Sequence, residues 1–177
     1  MKKITEVNIK KSIGEELRKK ENVRRLIKAE IELLGRIHWD LWVTITFRTE
    51  MSVDSAKKSV KSFFKYLNKP GEHYFDKFIR CWIFYELDAA GDRIHVHMLI
   101  NGIDSSLASE LEEKCCEHFG DSKIEPYNYN YPDGSGIHYL ARKIGSPRLV
   151  NREYFKINSK LRKRVKSYSR KPYEVVQ

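Results

Sequence analysis

Residues 79–100 hold two runs of alternating side chains separated by a short polar turn, and this pattern limits the local fold more than any other stretch. Ile79, Cys81, Ile83, Tyr85 and Leu87 alternate with Arg80, Trp82, Phe84, Glu86 and Asp88; Ile94, Val96, Met98 and Ile100 alternate with His95, His97 and Leu99. Both runs read as strands, and a turn near Ala90-Gly91 closes them into a hairpin. Setting Glu86 opposite His95 also sets Leu87 opposite Ile94, Tyr85 opposite Val96 and Ile83 opposite Met98. A single register therefore gathers one apolar face and, on the other, two imidazoles beside a carboxylate. A His-x-His pair alone reads as exposed strand polarity. The opposed acid suggests a metal site, with Asp88 and Asp92 as weaker competitors for Glu86.

The 177 residues suffice for one domain with a proper core and appendages. Composition is globular, no apolar run approaches the roughly 18 residues that would span a bilayer, and MKKITEVNIKK lacks an apolar signal core, so cytoplasmic residence is expected. Cys81, Cys115 and Cys116 form no CxxC, which argues against a disulfide scaffold or zinc finger. The net charge of +10 is uneven: residues 1–36 carry +5, 37–151 carry −2 and 152–177 carry +7. The expected organisation is an N-terminal amphipathic helical extension (1–36), a nearly neutral catalytic-sized domain (37–151) and a basic C-terminal tail (152–177). Basic flanks of this kind suit a phosphate backbone, although solubilising tails look the same.

Along the chain, Ile13, Leu17, Val23, Ile27, Ile31 and Leu34 predict an amphipathic helix from Lys10 to Leu34, ended by Gly35. LWVTITFR (41–48) alternates as a strand. Ala56, Val60, Phe63, Phe64 and Leu67 predict a helix capped by Ser52 or Asp54 and stopped at Pro70-Gly71. After the hairpin come a helix from Asp104 to Phe119 and a fourth strand from Ile124 to Tyr131, pushed toward an edge by Pro126. A short helix from Ser135 to Ile144 then places Tyr139, Arg142 and Lys143 on one face. The order strand, helix, strand, strand, helix, strand is that of an α+β, ferredoxin-like (split βαββαβ) antiparallel sheet. Helices on one face would leave the other open, carrying Trp42, Thr44, Thr46, Glu86, His95 and His97.

WVTITF on a strand, Glu86 opposite HVH on a hairpin, and YLARK on a later helix together resemble the HUH endonuclease superfamily in its single-tyrosine replication-initiator branch. The resemblance covers residues 41–144. It implies that His95, His97 and Glu86 hold a divalent metal and that Tyr139 is the nucleophile. Lys143 would be the motif's lysine, although Arg142 occupies the commoner YxxK offset. Where two-tyrosine members repeat the tyrosine one helical turn on, this chain has Lys143. The implied activity is sequence-specific nicking and joining of single-stranded DNA at a plasmid or viral replication origin, which initiates rolling-circle synthesis through a 5′-phosphotyrosine. The origin DNA, folded as a hairpin in some relatives, would be the main partner, with host helicase and polymerase beside it. No GxxxxGK[ST] motor motif is present in the chain.

Each group has a chemical reason to be there. Mixed imidazole and carboxylate ligation suits Mn2+ or Mg2+, without excluding zinc or iron, and a divalent cation offsets charge on the phosphodiester as it reacts. A phenol with a pKa of ~10 needs nearby cations to react near neutral pH. Trp42, Thr44, Thr46 and Arg48 on the expected open face, with Lys160, Arg162, Lys163, Arg164 and Lys166 in the tail, are the expected DNA contacts. Tyr127, Tyr129 and Tyr131 alternate and suit either base stacking or sheet packing. His38, His73, His118 and His138 read as surface or packing residues. Two other classes fit less of the pattern: a non-catalytic single-strand binder on an RRM-like sheet, and a metal-dependent hydrolase that activates water.

Overall fold

The computed structural model of the chain describes residues 2–67, 78–130, 135–158 and 166–168. The elements are helix α1 (Lys2–Gly35), strand β1 (Leu41–Phe47), helix α2 (Val53–Leu67), strands β2 (Phe78–Leu87) and β3 (Ile94–Asn101), helix α3 (Ala108–His118), strand β4 (Gly120–Pro126), helix α4 (Ser135–Arg142) and strands β5 (Leu149–Asn158) and β6 (Lys166–Tyr168). One antiparallel sheet runs in the order β4-β1-β3-β2-β5-β6. Its first four members have the ferredoxin-like arrangement expected from the sequence, and the hairpin has the expected register: Glu86 opposes His95, Leu87 opposes Ile94, Tyr85 opposes Val96 and Ile83 opposes Met98.

Strand alternation divides the side chains between two cores. Val43 and Ile45, Ile83 and Tyr85, and Val96 and Met98 pack with Val60, Phe64 and Leu67 of α2 and Leu111 and Cys115 of α3. Full burial of an aliphatic side chain of this size is worth about 1.5–3 kcal/mol, so this layer dominates the favourable side of folding. Ser52 caps α2, its hydroxyl accepting from the Ser55 N–H at 3.2 Å.

The opposite face is not open. Leu34 of α1 and Ile137 and Leu140 of α4 pack with Trp39, Phe84, Leu99 and Tyr127 in a second cluster, against which Trp42 and Trp82 lie partly buried. The even-numbered positions Trp42, Trp82 and Phe84 are too apolar to face water, so α1 and α4 cover that half of the face. At Gly145, with φ of +83°, an added Cβ would lie 2.9 Å from Cγ1 of Val23 on α1, so the turn after α4 meets α1 closely. Arg152 Nη1 pairs with Glu30 Oε2 at 2.9 Å, linking β5 to α1.

Other departures are local. β4 spans Gly120–Pro126, not 124–131, and alternates Gly120, Ser122 and Ile124 inward with charged residues outward. The tyrosines beyond it are anchored outside the sheet: Tyr129 hydrogen-bonds both the N–H and the carbonyl of Trp39, and the Tyr127 hydroxyl accepts from Ile137 N–H at 3.4 Å. Tyr131 and His73 lie outside the described residues. β5 pairs with β2 from Leu149 to Asn158, so the sheet continues through the boundary expected at 151–152. Lys160, Arg162, Lys163 and Arg164 lie outside the described residues, and Lys166 opens β6.

Candidate active site

Four elements bring the site together. β1 and β3 pair so that Thr44 opposes His97 and Thr46 opposes His95; β2 contributes Glu86, and α4 brings Tyr139 and Lys143 across the face. The Lys143 ammonium donates to Glu86 Oε1 at 2.6 Å. Glu86 Oε2 is 3.8 Å from His97 Nε2 and has no hydrogen-bond partner although it is buried. Thr44 Oγ1 is 3.2 Å from His97 Nδ1 and Thr46 Oγ1 is 3.0 Å from His95 Nδ1.

Aromatic rings wall the cluster. Trp42 stacks on His97 with ring centres 5.6 Å apart, and Tyr139 meets His97 edge-on at 5.2 Å. Lys143 Nζ lies 4.6 Å from the centre of the Tyr139 ring. The close approach depends on Gly136, where a Cβ would fall 2.3 Å from Cε3 of Trp42. These rings border a cleft of about 1010 Å³ that also reaches Thr44, Lys123, Glu125, Asn128, Arg142 and Lys143. Tyr139 is 41% exposed, so its hydroxyl is reachable from solvent while its ring is packed.

Burial, then the neighbouring charges of His95 and Lys143, pull the His97 imidazole down to about 4. It is therefore neutral at pH 7, as a metal-binding imidazole must be. Burial of Lys143 favours the neutral amine, but its hydrogen bonds with Glu86 and Tyr139 outweigh that and raise its pKa above the ordinary lysine value. It remains an ammonium ion, and so acts as a fixed positive charge rather than a base.

The donor chemistry fits a divalent cation: two imidazoles tied through Nδ1, and a carboxylate with one buried oxygen unsatisfied. The fit is one of composition rather than of a closed cage, since among the described residues no three His, Cys, Asp or Glu side chains converge tightly enough to hold an ion as they stand. Asp88 is committed elsewhere. Its Oδ1 accepts from the N–H groups of Gly91 at 2.8 Å and Asp92 at 3.3 Å, closing the hairpin turn.

Of the other sequence candidates, Arg142 lines the cleft, whereas Arg48 is drawn away. Its Nη2 donates to the Cys116 carbonyl at 2.8 Å near the C-terminus of α3, an ordinary use of a cation at that helix end. Sequence reading missed Gly136 and Lys123. A glycine one residue into a short helix was the available signal for the first; the second needed the correct bounds of β4.

Residues 40–148 match a family model for replication-associated proteins of the ORF2 type. That span is more than half of the chain and runs from just before β1 through α4, and the protein belongs to this replication-associated family. Every residue of the Thr-His-Glu-Lys-Tyr cluster lies within it. No curated protein and no solved structure matched. No helix among the described residues is long and apolar enough to cross a membrane.

Proposed function

We propose that this protein nicks and rejoins single-stranded DNA at a replication origin, with Tyr139 as the nucleophile. One observation carries the reading: a solvent-reachable tyrosine on α4 adjoins a fixed ammonium, a neutral buried histidine and a buried carboxylate, and these come from three separate elements. Family membership supports the replication setting. An RNA-binding sheet has no need of the buried Glu86-Lys143 pair.

The chemistry is a transesterification. The Tyr139 oxygen forms a bond to the scissile phosphorus while the P–O3′ bond breaks, leaving a 5′-phosphotyrosine. The phenolic proton passes to water, and the leaving 3′ oxygen takes a proton from water. No phosphodiester energy is lost to hydrolysis, so the free 3′ hydroxyl can later attack the phosphotyrosine and rejoin the strand. Lys143 lowers the cost of phenolate character next to it. Bound by His95, His97 and Glu86, Mn2+ or Mg2+ would supply Lewis-acid stabilisation of the non-bridging oxygens. Trp42 and Arg142 border the cleft that would receive the strand. A free 3′ hydroxyl primes synthesis, and a helicase and a polymerase would act next.

The test mixes the whole protein with a randomised pool of single-stranded oligonucleotides and Mn2+ and looks for an adduct that survives denaturation. Wild type should form one and Tyr139→Phe none. Cleavage without any adduct would assign the attack to water, and an adduct retained by Tyr139→Phe would move the nucleophile elsewhere. Either result overturns the proposal.

A further inference from the structure

Thr44 and Thr46 alternate on a strand facing the site, where their hydroxyls are natural candidates for contacts to DNA. Both hydroxyls are already engaged. Each lies directly opposite a histidine in the β1–β3 register, and each meets the same ring atom, Nδ1, at 3.2 Å in one pair and 3.0 Å in the other. The repetition follows from the strand period: residues two apart on β1 oppose residues two apart on β3, so one local geometry is used twice.

We propose that Thr44 and Thr46 are positioning residues that orient His97 and His95 through Nδ1 and thereby turn Nε2 of each ring toward Glu86 and a divalent cation. This rests on reading the two histidines as the metal ligands. A hydroxyl suits the task because it both donates and accepts. When Nδ1 is unprotonated the threonine donates to it; when Nδ1 carries the proton the threonine accepts and Nε2 keeps its lone pair. A carboxylate only accepts and an ammonium only donates, so neither would hold the ring through both tautomers. Threonine is also β-branched and stiff about χ1, which keeps the hydroxyl in one place. Of the two Nε2 atoms, that of His97 lies 3.8 Å from Glu86 Oε2.

The two pairs should not be equally sensitive. His97 is additionally held by the Trp42 stack and the Tyr139 edge, whereas among the described residues no aromatic contact supports the His95 ring. Loss of the Thr46 hydroxyl should therefore loosen its histidine more than loss of the Thr44 hydroxyl loosens His97.

Thr→Val keeps the shape and β-branching and removes only the hydroxyl; Thr→Ser keeps the hydroxyl. In metal-free, 15N-histidine-labelled protein, Thr46→Val should shift the His95 ring nitrogens strongly toward a mixture of tautomers, and Thr44→Val should shift those of His97 less. The Ser variants should retain the wild-type spectrum. By calorimetry the Val variants should bind Mn2+ roughly 10–100-fold more weakly, the range for an outer partner of a metal ligand, with Ser restoring affinity. Histidine 15N shifts unchanged in both Val variants would overturn the proposal. If wild type binds no divalent ion at all, the metal reading falls, while the metal-free spectra still decide whether the threonines orient the rings.

Discussion

The two faces of the sheet are built from the same strands and treat their side chains in opposite ways. Toward α2 and α3, Val43, Ile45, Ile83, Tyr85, Val96 and Met98 are at most 1% exposed, forming a continuous apolar layer. A buried charge there, Glu153 of β5, is answered by Lys61 at 3.4 Å and Lys57 at 3.7 Å. Toward α1 and α4 the face divides: Trp42, Phe84 and Leu99 join an apolar cluster, while Thr44, Thr46, Glu86, His95 and His97 share the polar remainder. There Glu86 keeps a buried oxygen without a hydrogen bond, an arrangement that costs roughly 1–3 kcal/mol. One face serves stability; the other retains a penalty that a folding argument alone does not explain.

If that contrast is right, the largest loss of stability should come from the first face. Phe64 is 1% exposed and packs against Phe63 and Phe155. Phe64→Ala should cost about 3–5 kcal/mol in urea unfolding, through lost burial and the cavity left behind. A cost below about 1 kcal/mol, the range of ordinary surface changes, would mean that the α2 layer is not the stability core.

Next comes acid sensitivity on the second face. The His97 imidazole titrates near 6.5 when free and is pulled down to about 4 in the fold, chiefly by burial. Between those values the unfolded chain binds a proton that the folded one does not, so stability rises with pH across that window. The contribution is complete above pH ~6.5, falls as pH drops toward ~4, and does not change further below that. The full difference is on the order of 3 kcal/mol in metal-free protein. Unfolding of wild type and His97→Gln at pH 7 and pH 4.5 isolates it: the variant should show a shallower pH dependence. Equal dependence would mean that the folded protein does not keep His97 neutral.

Much of this division was legible before any coordinates, because a period of two has only one register that buries Leu87, Tyr85 and Ile83 against Ile94, Val96 and Met98. That register alone set Glu86 beside His95. What was lost has physical causes. Tyr127, Tyr129 and Tyr131 alternate more visibly than Gly120, Ser122 and Ile124, yet the hydroxyls of the first two serve Ile137 and Trp39, while the plainer segment forms the edge strand. β5 was hidden because Arg152 and Glu153 read as tail charges, and only their partners Glu30, Lys57 and Lys61 make their burial tolerable. The cover over the second face depends on α1 folding back, a long-range contact that no local pattern encodes. Lys143 and Arg142 are adjacent in sequence, and only the helix's docking angle sends Lys143 to Glu86.

A smaller stability effect should mark the junction between the two halves of the second face. A Cβ at Gly136 would fall 2.3 Å from Trp42 Cε3 and 2.4 Å from Cζ3, inside any tolerated contact. Gly136→Ala favours the helix by about 1 kcal/mol in propensity, but overpacking costs typically 1–3 kcal/mol. The net should be a destabilisation of about 1 kcal/mol or slightly more, with altered tryptophan fluorescence as Trp42 leaves His97. Unchanged fluorescence together with increased stability would show that α4 does not press on Trp42.

The smallest expected change in stability is also the sharpest test of what the polar half is for. Glu86→Gln keeps the shape, removes the charge whose second oxygen is buried without a partner, and leaves Lys143, 24% exposed at its side chain, able to reach water. A salt bridge of this sort is weak evidence for stability, because desolvation offsets much of its attraction. Unfolding free energy should therefore stay within about 1 kcal/mol of wild type, in either direction. Mn2+ affinity should fall steeply in calorimetry, since an amide oxygen is a far poorer ligand for a hard cation than a carboxylate. A variant that unfolds several kcal/mol more easily yet binds Mn2+ as before would reverse the assignment, making Glu86 a structural anchor for α4 through Lys143 and leaving the histidines without their acidic partner.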